Sequence, residues 1–315
     1  MSAGKFPSSE AQDGTRRRYL VAGQAVEAPA LPGGLYLVAT PIGNLRDTTL
    51  RALEILSGCD FIACEDTRVT RKLTDHFGIK TPLTPYHDHN AEAARPRILE
   101  KLAAGGSVAL VSDAGTPLIS DPGYKLVRAV REAGHPVTAA PGASAVLAAL
   151  NVAGLPTDRF FFEGFLPAKE TARRTRIGEL ARVPGTLVVY ETGPRLAATL
   201  ADLAAGLGAR EAAVCRELTK LHEEVRRAPL GELAETYAAG AETRGEIVLV
   251  IGPPTEAPQP SAAEIDTLLH AALARVSLKD AVAEVATATG EPRRAVYARA
   301  LELTKEGHDG APPAR

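Results

Sequence analysis

Apolar residues fall in short runs separated by turn residues along most of the chain. The first run, Leu35-Tyr36-Leu37-Val38-Ala39, is bounded by Gly-Gly and Thr-Pro, which is the pattern of a buried strand. Asp47-Thr48-Thr49 then offers a helix start, with Leu50, Leu53 and Leu56 at helical spacing and Gly58 as the stop. Phe61–Cys64 reads as a second strand, 67–77 as a short basic helix ending at Gly78, and 91–104 as a helix capped by Asn90. Val108–Val111 is a third strand. A helix is expected after Pro122, ending at Gly134, and Pro136–Ala139 leads through Pro141-Gly142 into an Ala-rich helix to Asn151. Strands alternating with helices of about ten residues predict parallel βαβ units.

The pattern changes at Gly154-Leu155-Pro156, which marks a joint between an α/β domain over 34–154 and a second over 155–252. The second is expected to hold strands near 160–163, 186–190, 211–215 and 246–251, with helices at 170–182 and 194–205. A Pro-rich linker spans 253–261, and 262–304 reads as a helical module of three short helices. Residues 1–33 show no sustained period and read as a disordered tail, with a second tail at 305–315. The fold class is α/β, two domains with a mainly parallel sheet in the first, plus a small C-terminal helical module.

Composition sharpens this picture in three places. Aromatic residues are 4% of the 315 and Trp is absent, so the cores must be built from Ala, Val, Leu and Ile. A net charge of −2 excludes a protein that coats nucleic acid by bulk charge, though not a local basic track. The three cysteines, Cys59, Cys64 and Cys215, form neither a disulfide framework nor a zinc-finger spacing, which points to a reducing, cytoplasmic setting. No apolar core follows Arg16-Arg17-Arg18 and no run approaches the roughly 20 residues of a membrane span, so neither secretion nor a membrane partner is expected.

In open parallel sheets, ligands bind beyond the carboxyl ends of the strands. Three turns there are rich in Gly, Pro, Asp and Ser: Thr40-Pro41-Ile42-Gly43-Asn44, Ser112-Asp113-Ala114-Gly115-Thr116-Pro117 and Ala140-Pro141-Gly142-Ala143-Ser144. Glycines let a ligand approach the backbone. None of the turns is a Walker motif or a G-x-G-x-x-G fingerprint, so a phosphate cradle is not supported.

Nine runs in fixed order carry a resemblance. They are 38–45 (VATPIGNL), 65–68 (EDTR), 86–90 (YHDHN), 111–123 (VSDAGTPLISDPG), 141–145 (PGASA), 162–167 (FEGFLP), 190–195 (YETGPR), 216–220 (RELTK) and 245–250 (GEIVLV). Over about residues 34–303 the chain resembles the RsmI family, the 16S ribosomal RNA (cytidine-1402)-2′-O-methyltransferases within the tetrapyrrole methylase superfamily. The resemblance implies a two-domain methylase with S-adenosylmethionine (SAM) in the cleft between domains, a homodimer, and 16S rRNA or the small ribosomal subunit as partner. It assigns the cofactor side to Pro41, Ile42, Gly43, Gly115, Thr116, Pro117, Ile119, Ser144 and Ala145, with Tyr190 and Ile247 as walls from the second domain. Relatives acting on tetrapyrroles carry Gly-Asp-Pro where this chain has Gly115-Thr116-Pro117, which leaves the polar contact open between Thr116 and Asp113.

Glu65 and Asp66 follow a strand on the ligand-facing edge, with Arg68 close behind. They suit a base or a group orienting a hydroxyl, and the competing reading makes Asp66 a helix cap. His87 and His89 flank Asp88; His87 suits RNA binding or assistance to the base, and no third ligand is spaced for a metal, so none is expected. Glu191 and Arg195 read either as substrate-positioning groups or as an internal ion pair. Lys169, Arg173, Arg174 and Arg176 read as a phosphate track for RNA or as a solvated helix face. In the terminal module, Ser277-Leu278-Lys279-Asp280 offers one helix start, and Arg293, Arg294, Tyr297 and Arg299 lie on the next helix; the unit either grips RNA or packs on the methylase body. Two other functions fit the same fold: a tetrapyrrole methylase, and a non-catalytic RNA-binding assembly factor.

Overall fold

The computed structural model describes residues 17–121, 123–241, 243–254 and 262–309. Met1–Pro254 form one unit and Thr255–Arg315 a second. The first unit opens with a hairpin, β1 (Arg18–Val21) and β2 (Gln24–Glu27), within the stretch expected to be a disordered tail. Ala22 (φ 50) and Gly23 (φ 81) make the turn, and two left-handed residues match the twist of a tight hairpin. Tyr19 is 3% exposed, and the Leu20 N–H donates to the Phe77 carbonyl at 2.7 Å. One buried aromatic and one edge contact hold this segment, which is too little to leave a periodic signal. The remaining tail residues 1–16, and 255–261 of the expected linker, lie outside the described residues.

Five parallel strands follow: β3 (Gly34–Val38), β4 (Phe61–Cys64), β5 (Leu83–Pro85), β6 (Ser107–Val111) and β7 (Val137–Ala140), in the order β5-β4-β6-β3-β7. Alternate side chains leave opposite faces of each strand. Tyr36, Val38, Ile62, Ala109 and Val111 pack against α1 (Leu50–Gly58) and the hairpin. Leu35, Phe61, Val108 and Leu110 pack on the other face against Ile98 of α3 (Ala91–Ala103) and Leu126 of α4 (Tyr124–Glu132). Both faces are covered, which is why the strands read as unbroken apolar runs. The helix α2 (Thr67–His76) follows β4. The order reverses at β3 and β6, and the loops leaving these two strands open the crevice.

The helix α5 (Ala145–Ala153) ends at Gly154, which is left-handed at φ 63. Past it the chain enters a mixed sheet of β8 (Phe160–Phe165), β9 (Thr186–Thr192), β10 (Glu211–Arg216), β11 (Glu224–Pro229) and β12 (Glu246–Ile251), ordered β11-β10-β12-β9-β8. Only β8 and β9 are parallel; the other pairs run antiparallel. One face carries α6 (Glu170–Leu180), α7 (Gly193–Leu207) and α8 (Leu230–Ala238). On the other, Val188, Ala213, Val248 and Val250 pack against Val146, Ala149 and Leu150 of α5 and against Ile42. The last helix of the first half therefore covers the second sheet, and the two halves share a core. The strand β11 and the helix α8 had no clear sequence signal, because Arg226 and Arg227 interrupt one and Gly231 sits in the other.

The second unit holds α9 (Ala262–Leu273), α10 (Leu278–Thr289) and α11 (Arg293–Asp309) around Leu269, Val282, Val285, Val296 and Ala300. The last helix runs past 304, where a tail was expected, because no Gly or Pro interrupts it before Gly307.

Gly193 opens α7, and a Cβ there would run into the backbone carbonyl of Thr243. Gly193→Ala is therefore expected to destabilise the protein by more than the ~1–3 kcal/mol usual for overpacking, because backbone must move. Urea unfolding measures this, and an unchanged midpoint would contradict the packing described.

Candidate active site

Two loops leaving neighbouring strands are locked together by their backbones. The Thr40 N–H donates to the Gly115 carbonyl at 2.9 Å, and the Gly115 N–H returns the bond to Thr40 at 3.0 Å. Gly115 is left-handed at φ 77, and a Cβ on it would sit 3.3 Å from Cγ2 of Ile42, so a larger residue there is strained and crowded. The Thr116 hydroxyl donates to the Ala143 carbonyl at 3.2 Å, which ties in the third loop. Ser144 caps α5, accepting the Leu147 N–H at 3.5 Å.

Against these loops stand β9 and β12 of the second sheet, enclosing a cavity of about 290 Å³. Ile42, Asp113, Gly115, Thr116, Ile119, Ser144, Ala145, Tyr190 and Ile247, all expected on the cofactor side, line it together. Pro41 and Gly43 line a second cavity that shares Ile42, Asp113, Ala114 and Glu246 with the first. Pro117 lines neither. Tyr190 is braced edge-to-face by Phe162 and Phe165, with centroids 4.9 and 5.6 Å away. Burial first, then the charges of Asp121 and Glu246, push its hydroxyl up to about 12, so it stays a donor at neutral pH.

The lining has a one-sided charge. Asp113, Asp121 and Glu246 contribute carboxylates, Glu191 keeps its own buried against Thr199 and Arg195, and no Lys, Arg or His belongs to the wall. Such a cavity suits a ligand carrying positive charge and rejects a phosphate. Burial, followed by the charges of Glu65 and then Asp113, pushes the Asp121 carboxyl up to about 6, with a hydrogen bond from Ser112 opposing. Cys215 is also on the wall, but burial raises its thiol to about 12, which removes it as a nucleophile. Cys59 and Cys64 are buried as well.

The residues expected to act are placed differently. Asp66 is the N-cap of α2: its carboxylate accepts the Arg68 N–H at 2.8 Å and pairs with the Arg68 guanidinium at 2.6 Å. Those bonds hold its carboxyl down to about 2, so it is a poor proton acceptor. Glu65 and His87 are not on the cavity wall, although Glu65 lies near Asp113, whose charge, after burial, raises its pKa. Asp113 accepts the Asp66 N–H at 3.0 Å. His87 and His89 face each other edge-on at 6.0 Å. Asn90 sits at the start of α3, but its side chain accepts the His87 N–H instead of capping the helix. Glu191 is 2% exposed and bonded to Thr199 at 2.6 Å, with Arg195 at 3.3 Å. It is the internal ion pair.

The expected RNA track on α6 is corrected by its partners. Arg173 is 6% exposed and bonds Asp202 of α7 at 2.7 Å; it is a core ion pair and cannot reach a phosphate. Arg174 pairs with Glu170 and Asp202, and Arg176 with Glu163 and Glu179. Lys169 is left exposed at the N-cap. Two of these acids, Asp202 and Glu163, come from other elements, so a window on α6 reveals only Glu170 and Glu179. Sequence reasoning also passed over Asp121, Thr192, Leu218 and Glu246 on the cavity wall and gave no role to Lys220. Asp121 stands two residues beyond Ile119 in the same motif, and an acid between a strand's loop and Pro-Gly was the available signal. Lys220 reaches from the second half across Gly43, where a Cβ would collide with its stem. Its amino group pairs with Glu217 at 2.8 Å and Glu246 at 3.0 Å.

The doubly covered parallel sheet, the mixed second sheet and the acidic cleft between them define a class. A profile of the tetrapyrrole (corrin/porphyrin) methylases matches residues 34–234, and one of the RsmI C-terminal HTH domain matches 259–304. The backbone is similar to that of diphthine synthase (TM-score 0.54, 15% identity, 69% of this chain and 89% of that one). It is similar also to cobalt precorrin-4 methyltransferase (TM-score 0.53, 16% identity, 69% and 94%). At those identities the likeness concerns the fold alone. Sequence relatives go further. Ribosomal RNA small subunit methyltransferase I of Mesorhizobium japonicum is 50% identical over 287 residues, 90% of this chain and 97% of the relative. That of Escherichia coli O157:H7 is 46% identical over 272 residues, 86% and 95%. The chain belongs to the ribosomal RNA small subunit methyltransferase I family.

Asp202 joins two arginines in the core. Burial raises its pKa, but the hydrogen bonds from Arg174 and Arg173 outweigh that and hold it below the usual value. Asp202→Ala strands Arg173 and is expected to cost about 3–5 kcal/mol at pH 7. A depressed carboxyl stabilises above its unfolded pKa and loses that contribution as pH falls through the folded one. The difference from wild type should shrink below about pH 4; a gap constant down to pH 2 in denaturant titrations would refute the pairing.

Proposed function

We propose that the protein is a SAM-dependent ribosomal RNA methyltransferase that modifies the ribose 2′-hydroxyl of a cytidine in 16S rRNA, position 1402 in that RNA. The observation that carries the reading is the cavity wall: carboxylates of Asp113, Asp121 and Glu246, no Lys, Arg or His in the lining itself, and close backbone approach at Gly115. These residues fit a donor with a sulfonium and an ammonium. Ile42, Gly115, Ile119, Ala145 and Ile247 would hold its apolar surface, and Asp113, Thr192 and Glu246 its polar groups. When bound, SAM supplies a methyl carbon with a neutral leaving group. The chain contributes alignment, since an in-line displacement gains several kcal/mol from fixed geometry, and the cross-linked loops and braced Tyr190 provide fixed walls.

RNA recognition falls to cations without partners. In the second unit, Lys279, Arg293, Arg294 and Tyr297 line a groove of about 480 Å³, and none of the three cations has an ion pair among the described residues. Asp280 is the one acid lining the same groove, and two arginines in the first turn of α11, a turn that holds no acid, oppose the helix dipole. Their placement is unfavourable for the helix and suited to phosphate, and Tyr297, 46% exposed, offers a stacking surface. Phe160, Phe161 and Phe165 are exposed on the edge strand β8, which supports a homodimer. No helix among the described residues is long and apolar enough to cross a membrane, and the setting we propose is the cytoplasm.

Labelled SAM incubated with the protein and small-subunit particles should leave label in RNA on ribose; label in a porphyrinoid alone, or none, would overturn the reading. Replacing Lys279, Arg293 and Arg294 together by Ala should flatten the slope of log K against log salt for RNA binding by about 2–3. An unchanged slope would place recognition elsewhere.

A further inference from the structure

Methylating a hydroxyl releases a proton, and the residues first expected to take it do not face the cavity. Asp66 is committed to α2 and Arg68, while Glu65, Arg68 and His87 are absent from the wall. Asp121 is on it. We infer that Asp121 is the catalytic base, its carboxylate accepting the proton of the acceptor ribose hydroxyl; this rests on the methyl-transfer reading above.

The loop that ends at Asp121 is built at a cost. Leu118 (φ 74) and Ser120 (φ 60) are left-handed without being glycine, a conformation that persists only where the surroundings enforce it and that clusters at functional sites. The surroundings are visible. A Cβ on Gly123 would lie 3.1 Å from Leu118 Cδ1, and one on Gly164 would lie 3.0 Å from Ser120 Oγ. Two glycines thus leave room for the two strained side chains. Their turn sets Ile119, Ser120 and Asp121 side by side in the wall.

The groups around Asp121 fit the role. Glu65 approaches from the loop after β4, with Asp66, His87 and Asp88 behind it. Asp113 comes from the start of the same loop, next to Ser112, whose hydroxyl donates to the Ala114 carbonyl at 3.2 Å. Tyr190 faces it from β9, with Glu246 alongside on β12. The cations nearby are engaged elsewhere: Arg68 pairs with Asp66, Lys220 with Glu217 and Glu246, and His87 stands behind Glu65. Burial and like charge make the carboxylate a stronger base than an ordinary aspartate, while leaving it ionised at neutral pH. In the step, the hydroxyl oxygen gains the methyl carbon as the carbon–sulfur bond breaks and sulfur keeps the bonding pair. The hydroxyl proton goes to Asp121 and then to water.

Three measurements on the full chain test this. Asp121→Asn should lower kcat on small-subunit particles by about 100-fold or more, while calorimetry finds the Kd for SAM raised by no more than about tenfold, as for the loss of one of several wall carboxylates. The wild-type log kcat should rise with pH to a plateau above about 6, as the carboxyl ionises; Asp121→Asn should lack that limb and Asp121→Glu keep it. The third readout is stability. A carboxyl with a raised folded-state pKa contributes stability below its unfolded value and loses it as pH rises through the folded one. Asp121→Asn should therefore melt above wild type at pH 8, with the gap closing by pH 4. An Asn variant that keeps more than a tenth of the rate, keeps the acid limb, or loses SAM affinity in step with kcat would overturn the assignment. If wild type itself labels no ribose, the methyl-transfer reading fails, and Asp121 as base fails with it.

Discussion

Two backbone hydrogen bonds between Thr40 and Gly115 are the constraint on which the cleft depends. They join loops leaving adjacent strands at the point where the strand order reverses, and they do so without any side chain. Gly115 meets this constraint because its φ of 77 costs it little. With those loops fixed, Ile42 turns into the core shared by α5 and the second sheet. The same pairing that shapes the cavity wall thus also fastens the halves of the first unit to each other.

How legible this was depended on how local each cause is. The strands of the first sheet are buried on both faces, so each appears as its own apolar run, and they were readable one by one. The loops that converge on the cavity were readable because they lie directly after those strands. Arg173 was not: its meaning is set by Asp202, 29 positions away on α7, and a count of nearby acids cannot include it. The hairpin at 18–27 failed for a related reason, since one buried Tyr19 and a two-residue turn hold it. Asp66 was seen with both of its uses, and its bonds to Arg68 decided between them.

Charge is distributed by function along this chain more than its net value of −2 suggests. The cavity lining holds carboxylates and no cation, the arginines of α6 are paired, and among the described residues Lys279, Arg293 and Arg294 in the groove of the second unit have no ion pair. A polyanionic acceptor would be attracted by the last and repelled by the first. Under the proposed reading, only an uncharged sugar oxygen has reason to enter the cleft while the phosphates stay outside. Selectivity of that kind needs no base contact at the reacting centre.

The burial of Cys59, Cys64 and Cys215 has a practical corollary. Thiols held protonated inside the fold ignore maleimide at neutral pH, so the native chain gives no background labelling. A single cysteine introduced on an exposed turn of α10 would take a fluorophore or spin label cleanly, with the label confined to the second unit.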